Sequence, residues 1–207
     1  MTRLWHGIIA ALAALALVGQ GVITIDRDRS FVNYLSYFTI ESNILVLVTC
    51  LLIVQRPDRG GTAFGILRLG SLASITVTGI VYATILAGNG MFEGAEWWFD
   101  KIFHYVVPAM SVIGFIAFRP RTRLDRSAMW FLVFPAVWTA YTLVRAEVSQ
   151  PVFMLTPTVS AYVPYGFLDV EEHGALTVSL ICLVITAAFV AIGLGYSRIS
   201  RANRQAL

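Results

Sequence analysis

The stretch ALTVSLICLVITAAFVAIGLGY, residues 175–196, contains no charged side chain. An α-helix rises about 1.5 Å per residue, so about 20 apolar residues cross the hydrocarbon core of a bilayer. The whole chain has this character: 57% of its 207 residues are hydrophobic, only 13% are charged, and the mean hydropathy is +0.74. A soluble domain carries about 25% charged residues. The composition therefore excludes a soluble globular, a disordered or a collagen-like protein.

Five more stretches are long and apolar enough to span a membrane. We predict an all-α polytopic membrane protein, one domain over residues 1–207, with six transmembrane helices at about 4–25, 31–55, 64–88, 97–118, 128–144 and 175–196. We expect the first to be a retained helix, because its apolar run reaches Ile25 without a signal-peptide cleavage site. Cys50 and Cys182 both lie in apolar runs, which excludes a disulfide framework and a cysteine-based zinc site.

The basic residues predict the orientation of the bundle. With the N-terminus inside, four of the 15 basic residues lie outside: Arg27, Arg29, Lys101 and Arg145. Eleven lie inside: Arg3, Arg56, Arg59, Arg68, Arg119, Arg121, Arg123, Arg126, Arg198, Arg201 and Arg204. The positive-inside rule therefore predicts cytoplasmic termini, and basic residues split among short loops at one membrane face do not indicate nucleic-acid binding. The single lysine is typical of a GC-rich bacterial genome, so we expect the bacterial cytoplasmic (inner) membrane.

The outer half of the second helix carries polar side chains that are costly in hydrocarbon. Ser36, Thr39 and Asn43 are spaced i, i+3, i+7 and share one helix face. Such a stripe faces other helices or a cavity, and back-bonding to the helix or helix packing is the structural alternative for each member. Glu41 points to another side, and an unpaired carboxylate costs about 2.5–3.5 kcal/mol there. A small transporter or channel subunit that uses Glu41 is therefore one functional alternative.

The fourth helix contains a potential general base. Asp100 and His104 are four residues apart on one face, so the carboxylate can orient the imidazole, and Pro108 predicts a kink just beyond them. Thr39 lies about 12 Å inward of Phe31, and His104 lies about 10 Å inward of Trp97. The two side chains are therefore predicted at similar depth in the outer leaflet. A structural histidine bonded to a carbonyl is the alternative.

The fifth helix and the long loop after it complete the set of candidates. Trp138, Tyr141 and Arg145 are again spaced i, i+3, i+7, and Arg145 could bind a carboxylate or phosphate, snorkel to the interface, or pair with an acid such as Asp169. The loop at 145–174 is rich in aromatic and acidic residues, and loops of this length are often lids or binding elements. Its adjacent acids and histidine at 171–173 cannot easily converge on one ion, so we predict no metal.

Four motifs in order resemble the FAR-17a/androgen-induced-gene-like membrane protein family and its bacterial relatives. They are Tyr37–Asn43, His104–Pro108, the helix of Trp138, Tyr141 and Arg145, and Tyr165–Val170. Animal members are intramembrane threonine hydrolases that cleave fatty acid esters of hydroxy fatty acids. The resemblance implies a lipid ester substrate, Thr39 as nucleophile and His104 as base, with Ser36 as the alternative match for the threonine. It implies no cofactor.

The chemistry suggests roles for the remaining candidates, and the predicted substrate-binding set is Ser36, Asn43, Tyr141, Arg145 and Asp169. A hydroxyl becomes a good nucleophile only when a base removes its proton, and the tetrahedral intermediate needs hydrogen-bond donors. We expect Asp100 to orient His104. Asn43, Ser36 or Tyr141 could donate a hydrogen bond to the oxyanion. Arg145 could hold a fatty-acid carboxylate of the substrate. In that case Arg145→Ala would raise KM more than it lowers kcat. A non-catalytic lipid-binding protein is the other alternative.

Overall fold

The computed structural model of the chain describes residues 1–88, 92–118, 124 and 126–205, with side chains as far as residue 201. Four arginines of the predicted charge distribution lie outside this description: Arg119, Arg121, Arg123 and, for its side chain, Arg204. Within these described residues, six helical segments are long and apolar enough to cross a membrane: Thr2–Asp26, Phe38–Gln55, Thr62–Leu86, Ala95–Ala117, Arg126–Ser149 and Val170–Arg201. This confirms the predicted all-α polytopic architecture.

The described helices have the following bounds: α1 Thr2–Asp26, α2 Phe31–Ser36, α3 Phe38–Gln55, α4 Thr62–Val81, α5 Ala95–Lys101, α6 Val107–Ala117, α7 Val133–Ser149 and α8 Val170–Gln205. A π-helical turn over Tyr82–Leu86 extends α4, and another over Ile102–Val106 joins α5 to α6. Turns of 3₁₀ helix precede α7 and α8, at Arg126–Leu132 and Gly166–Leu168. Two short antiparallel strands, β1 Phe153–Met154 and β2 Ser160–Ala161, form a hairpin.

An even number of spans puts the two termini on one side of the membrane. The connections at 27–30, 92–94 and 150–169 therefore lie on the opposite side, which we call the far face. Helices α1, α3, α4 and α6 form an interior in which Ile9, Ala13, Val46, Ile75 and Val107 are at most 2% exposed. Helix α8 is peripheral, because only 11% of its apolar window is buried.

The predicted second helix is not continuous. Tyr37 has extended backbone angles (φ −72°, ψ 128°) and separates α2 from α3. Tertiary partners replace the helical hydrogen bonds at this point. The indole Nε1 of Trp138 donates to the Ser36 carbonyl at 3.1 Å, and the Thr39 N–H donates to the Tyr165 hydroxyl at 3.1 Å. The break therefore makes Thr39 the second residue of a helix that begins at the far face.

The kink expected at Pro108 is a π-helical turn. Pro108 has no N–H to donate to the carbonyl of His104, and the wide turn Ile102–Val106 accommodates the missing bond. Gly79 of α4 lies against this turn. A Cβ atom at residue 79 would lie 3.1 Å from Cβ of Pro108 and 3.4 Å from the His104 carbonyl oxygen. The glycine therefore allows α4 to approach the segment that holds His104.

Candidate functional site

Thr39 and His104 meet between α3 and the π-helical turn. The hydroxyl Oγ1 of Thr39 lies 3.1 Å from Nε2 of His104. Both side chains line one cavity, and Thr39 is 8% exposed. A nucleophile and its base need a separation within hydrogen-bond reach, about 2.6–3.2 Å. The two residues that the sequence predicted at similar depth are thus in direct contact.

The other ring nitrogen of His104 fixes the direction of this contact. Nδ1 lies 2.9 Å from the backbone carbonyl of Asp100, which has hydrogen-bond geometry, and 3.0 Å from the carboxylate oxygen Oδ1 of the same residue. Both partners are acceptors, so Nδ1 carries a proton. In the neutral ring Nε2 is then the acceptor, and the Thr39 hydroxyl donates to it. The hydrogen-bond chain Thr39–His104–Asp100 is therefore polarised: the Thr39 hydroxyl donates to Nε2 of His104, and Nδ1 of His104 donates to Asp100.

Two side chains that the sequence reading did not single out hold Asp100. The Tyr82 hydroxyl donates to Oδ2 of Asp100, and Nζ of Lys101 donates to the same oxygen at 3.0 Å. The Tyr82 ring also stacks on the imidazole of His104, with ring centres 3.8 Å apart and planes inclined by 14°. The carboxylate is therefore fixed by a phenol and an ammonium group, and the imidazole by an aromatic ring.

The cavity that contains Thr39 and His104 has a volume of about 1040 Å³. Ligand sites typically measure about 300–1,000 Å³. The cavity reaches the far-face loops, and most of its wall is apolar, including Ile40, Ile85, Leu86, Phe92, Phe103, Phe153, Met154, Leu155, Val159 and Phe167. An amphiphile with a long acyl chain is the kind of molecule that such a space fits.

Tyr165 is the second side chain, after His104, that forms a hydrogen bond with Oγ1 of Thr39. Its hydroxyl accepts the Thr39 N–H and lies 3.2 Å from Oγ1 of Thr39. In the sequence it stands out only as the first residue of the Tyr165–Val170 motif, in the proline-rich loop before α8, where no role was assigned to it. Burial raises the pKa of the Tyr165 phenol to about 12, so the group stays protonated at neutral pH.

Ser36 and Asn43, the other two members of the polar stripe, donate hydrogen bonds to backbone carbonyls. The Asn43 amide donates to the carbonyls of Thr39, at 2.8 Å, and of Phe103, at 3.4 Å. The Ser36 hydroxyl donates to the Val32 carbonyl at 2.7 Å. Neither Ser36 nor Asn43 is among the residues that line the cavity. Asn43 therefore joins the start of α3 to the turn that carries His104.

The stripe on α7 converges on α2 rather than on the cavity. The Tyr141 hydroxyl lies 3.0 Å from Oγ of Ser36, and Arg145 donates to that oxygen at 3.1 Å and to Oδ1 of Asn33 at 2.6 Å. Tyr141 and Arg145 are not among the cavity-lining residues. Asp169 caps α8, because its Oδ1 accepts backbone N–H groups at residues 171 and 172.

Glu41 lies in the first turn of α3 and is half-buried. Because α3 begins only at Phe38, the Glu41 carboxylate is near the helix N-terminus, where the helix dipole favours negative charge. It is not among the residues that line the cavity with Thr39. The break in the second helix thus places this acidic residue in the first turn of a helix.

Two half-exposed arginines pair with a buried carboxylate at the far-face end of the cavity. The side chain of Glu96 is 2% exposed and forms ion pairs with Arg27 and Arg29, the latter at 2.9 Å. The Gln20 amide donates to the same carboxylate at 3.3 Å. These contacts join the end of α1 to the start of α5.

The chain was compared with protein-family models, with curated proteins and with solved structures, and none of the three comparisons finds a match. The family resemblance of the four motifs therefore stays a prediction, and the function has to be argued from the geometry.

Proposed function

We propose that this protein is an intramembrane hydrolase that cleaves a lipid carboxylic ester, with Thr39 as nucleophile and His104 as general base. The observation that carries the proposal is the polarised chain from Thr39 Oγ1 through Nε2 and Nδ1 of His104 to Asp100. Here both ring nitrogens have partners, and the ring contacts a hydroxyl on the wall of a cavity large enough for a lipid.

The proposed reaction passes through an acyl-enzyme. The Thr39 oxygen attacks the ester carbonyl carbon while His104 takes the hydroxyl proton at Nε2. The tetrahedral intermediate then breaks the bond to the alcohol, which leaves with the proton from His104. Water, activated by the same imidazole, hydrolyses the threonine ester and releases the acid. Asp100 holds the imidazole and stabilises the imidazolium that forms transiently.

The apolar wall of the cavity supports a lipid substrate. A fatty acid ester of a hydroxy fatty acid, the substrate implied by the family resemblance, has two acyl chains that would cover apolar surface on both sides of the ester. We place the reaction in the outer leaflet of a bacterial inner membrane, on the basis of the positive-inside rule and the position of the cavity at the far face.

Lipid binding without catalysis is the second candidate, because the same cavity supports it. Hydrolysis separates the two. We expect the purified protein in lipid nanodiscs to hydrolyse a long-chain chromogenic ester and a fatty acid ester of a hydroxy fatty acid. Thr39→Ala and His104→Gln should each reduce kcat at least about 10³-fold, whereas Thr49→Ala, on the same helix three turns away, should retain activity. Saturable lipid binding without turnover of any ester would favour the lipid-binding function.

A further inference from the structure

The proposed reaction needs a donor for the developing oxyanion, and the residues expected from the sequence are engaged elsewhere. The Asn43 amide donates to two backbone carbonyls, and Ser36 and Tyr141 are not among the residues that line the cavity. Of the described side chains, only His104 and Tyr165 form hydrogen bonds with Oγ1 of Thr39. The Tyr165 phenol is therefore the donor to consider.

The hydrogen-bond pattern determines where the phenol proton points. The Tyr165 oxygen accepts the Thr39 N–H at 3.1 Å, and the Thr39 hydroxyl proton is directed to Nε2 of His104. Oγ1 of Thr39, 3.2 Å away, then accepts from the phenol. The phenol proton is thus aimed at the reacting oxygen, next to a backbone N–H at the positive end of α3.

We propose that Tyr165 is a catalytic residue that donates its hydroxyl hydrogen bond to the ester carbonyl oxygen as this oxygen becomes negative. The inference rests on the proposed function and adds a residue that the family motifs do not assign this role. When a substrate carbonyl enters, the phenol exchanges its hydrogen bond to Oγ1 of Thr39 for one to the carbonyl oxygen, and the Thr39 N–H exchanges its hydrogen bond to the phenol oxygen for one to the same carbonyl oxygen. The nucleophilic oxygen and both hydrogen-bond donors, the Tyr165 hydroxyl and the Thr39 N–H, are then grouped around Thr39.

The surroundings hold the phenol rigidly. The Tyr165 ring stacks on Phe167, with centres 5.5 Å apart and planes inclined by 7°, and packs edge-on against Tyr37 at 5.9 Å. Trp138 covers it with a centroid distance of 6.0 Å. A donor fixed before the substrate binds needs little reorganisation when charge develops, which is why such groups accelerate acyl transfer. Because burial also raises its pKa, the phenol remains a donor throughout the neutral range.

In the reaction step, the Thr39 oxygen forms a bond to the carbonyl carbon and its proton goes to His104. The π-electron pair of the carbonyl moves onto the carbonyl oxygen, which accepts the Tyr165 hydrogen bond while the phenol keeps its proton. When the pair returns, the bond to the alcohol breaks and the alcohol takes the proton from His104. No oxidant, reductant or metal takes part.

Two Tyr→Phe substitutions, one at the proposed donor and one at a distant tyrosine with a similar hydrogen bond, test the role of the phenol. Tyr165→Phe removes the proposed donor and keeps the ring. Tyr196→Phe is the matched control, because the Tyr196 hydroxyl also bonds to a threonine, at 2.7 Å from Oγ1 of Thr76, between α8 and α4. We expect Tyr165→Phe to lower kcat about 10²–10³-fold with KM changed less than about threefold. Tyr196→Phe should leave both constants unchanged.

A second measurement separates catalysis from packing. A long-chain trifluoromethyl ketone adds to an active hydroxyl and mimics the tetrahedral intermediate, whereas the corresponding ether binds the cavity without reacting. We expect Tyr165→Phe to weaken ketone inhibition by the same factor as kcat/KM and to leave ether affinity unchanged. Equal weakening of both ligands, or unchanged kcat, would overturn the role of Tyr165 alone. A wild-type protein without ester turnover and without ketone inhibition would overturn the proposed function as well.

Discussion

The indole N–H of Trp138 donates to the backbone carbonyl of Ser36 across 3.1 Å, between residues 102 positions apart in the chain. In a continuous helix this carbonyl would accept the N–H of Ile40, which instead donates to the Tyr37 carbonyl at 3.0 Å. The bond therefore ends α2 and lets α3 begin just before Thr39. The position of the proposed nucleophile depends on a side chain from α7.

Trp138→Phe tests this dependence. The substitution keeps an aromatic ring against Phe38 and Tyr165 but leaves the Ser36 carbonyl without its donor. An unpaired buried carbonyl costs about 1–3 kcal/mol. We expect a lower unfolding temperature and a fall in kcat of about tenfold or more, measured by thermal unfolding in detergent and by ester hydrolysis. Trp130→Phe is the control, because Trp130 is 69% exposed. Equal effects of the two substitutions would contradict the role of the indole.

Asp100→Asn should have a moderate effect. In hydrolases whose histidine relies on one carboxylate, the amide lowers kcat about 10⁴-fold because the imidazole adopts the wrong tautomer. Here the Asp100 backbone carbonyl, 2.9 Å from Nδ1, still accepts the Nδ1 proton after the substitution. We therefore expect kcat to fall only about 10–10²-fold, from weaker stabilisation of the imidazolium. A loss as large as that of His104→Gln would show that the carboxylate, not the carbonyl, fixes the tautomer.

Arg145→Gln distinguishes two roles for the arginine. A carboxylate anchor for the substrate predicts a raised KM. The observed contacts with Ser36 and Asn33 predict instead that the end of α2 becomes less fixed, so that kcat falls while KM changes little. We expect this second pattern in steady-state kinetics, and we expect it with neutral and with carboxylate-bearing esters alike. A KM increase confined to the carboxylate-bearing ester would support the anchor.

Gly79→Val should separate α4 from the turn that holds His104. A Cβ at residue 79 already lies 3.1 Å from Pro108, and the two additional methyl groups have to displace that segment. We expect a fall in both kcat and unfolding temperature. Gly195→Val on α8 is the matched control, since nothing lies within 4 Å of a Cβ there. Unchanged hydrolysis by the Gly79 variant would show that the turn tolerates a shift of α4.

The apolar runs of the chain were sufficient to predict six spans, because each span is a local stretch of about 20 residues. Helix rise converts residue counts into distances, which predicted Thr39 and His104 at similar depth, and their side chains are in contact. The break at Tyr37 could not be predicted, because residues 138 and 165 supply the hydrogen bonds that replace the helical ones. No local pattern reports partners that are more than 100 residues away.

The same reason explains which site residues the sequence reading missed. Tyr82 belongs to a π-helical turn and Tyr165 to a loop, and neither stands at a spacing that relates it to His104 or Thr39. Asn43 and Arg145 did stand out, as polar groups inside the membrane, but the structure gives them partners in the packing of helices. The free-energy cost of a polar side chain in the hydrocarbon core identifies residues that need a partner. It does not say whether that partner is a substrate or another helix.

The most direct test of the central claim is identification of the modified residue after reaction with a lipid fluorophosphonate. The probe reacts with an activated hydroxyl, and mass spectrometry of the digested protein locates the adduct. We expect one adduct, on the peptide that contains Thr39, absent in Thr39→Ala and in His104→Gln and retained in Thr49→Ala. An adduct on Ser36 or another residue, or the same labelling in Thr39→Ala as in the wild type, would contradict Thr39 as the nucleophile.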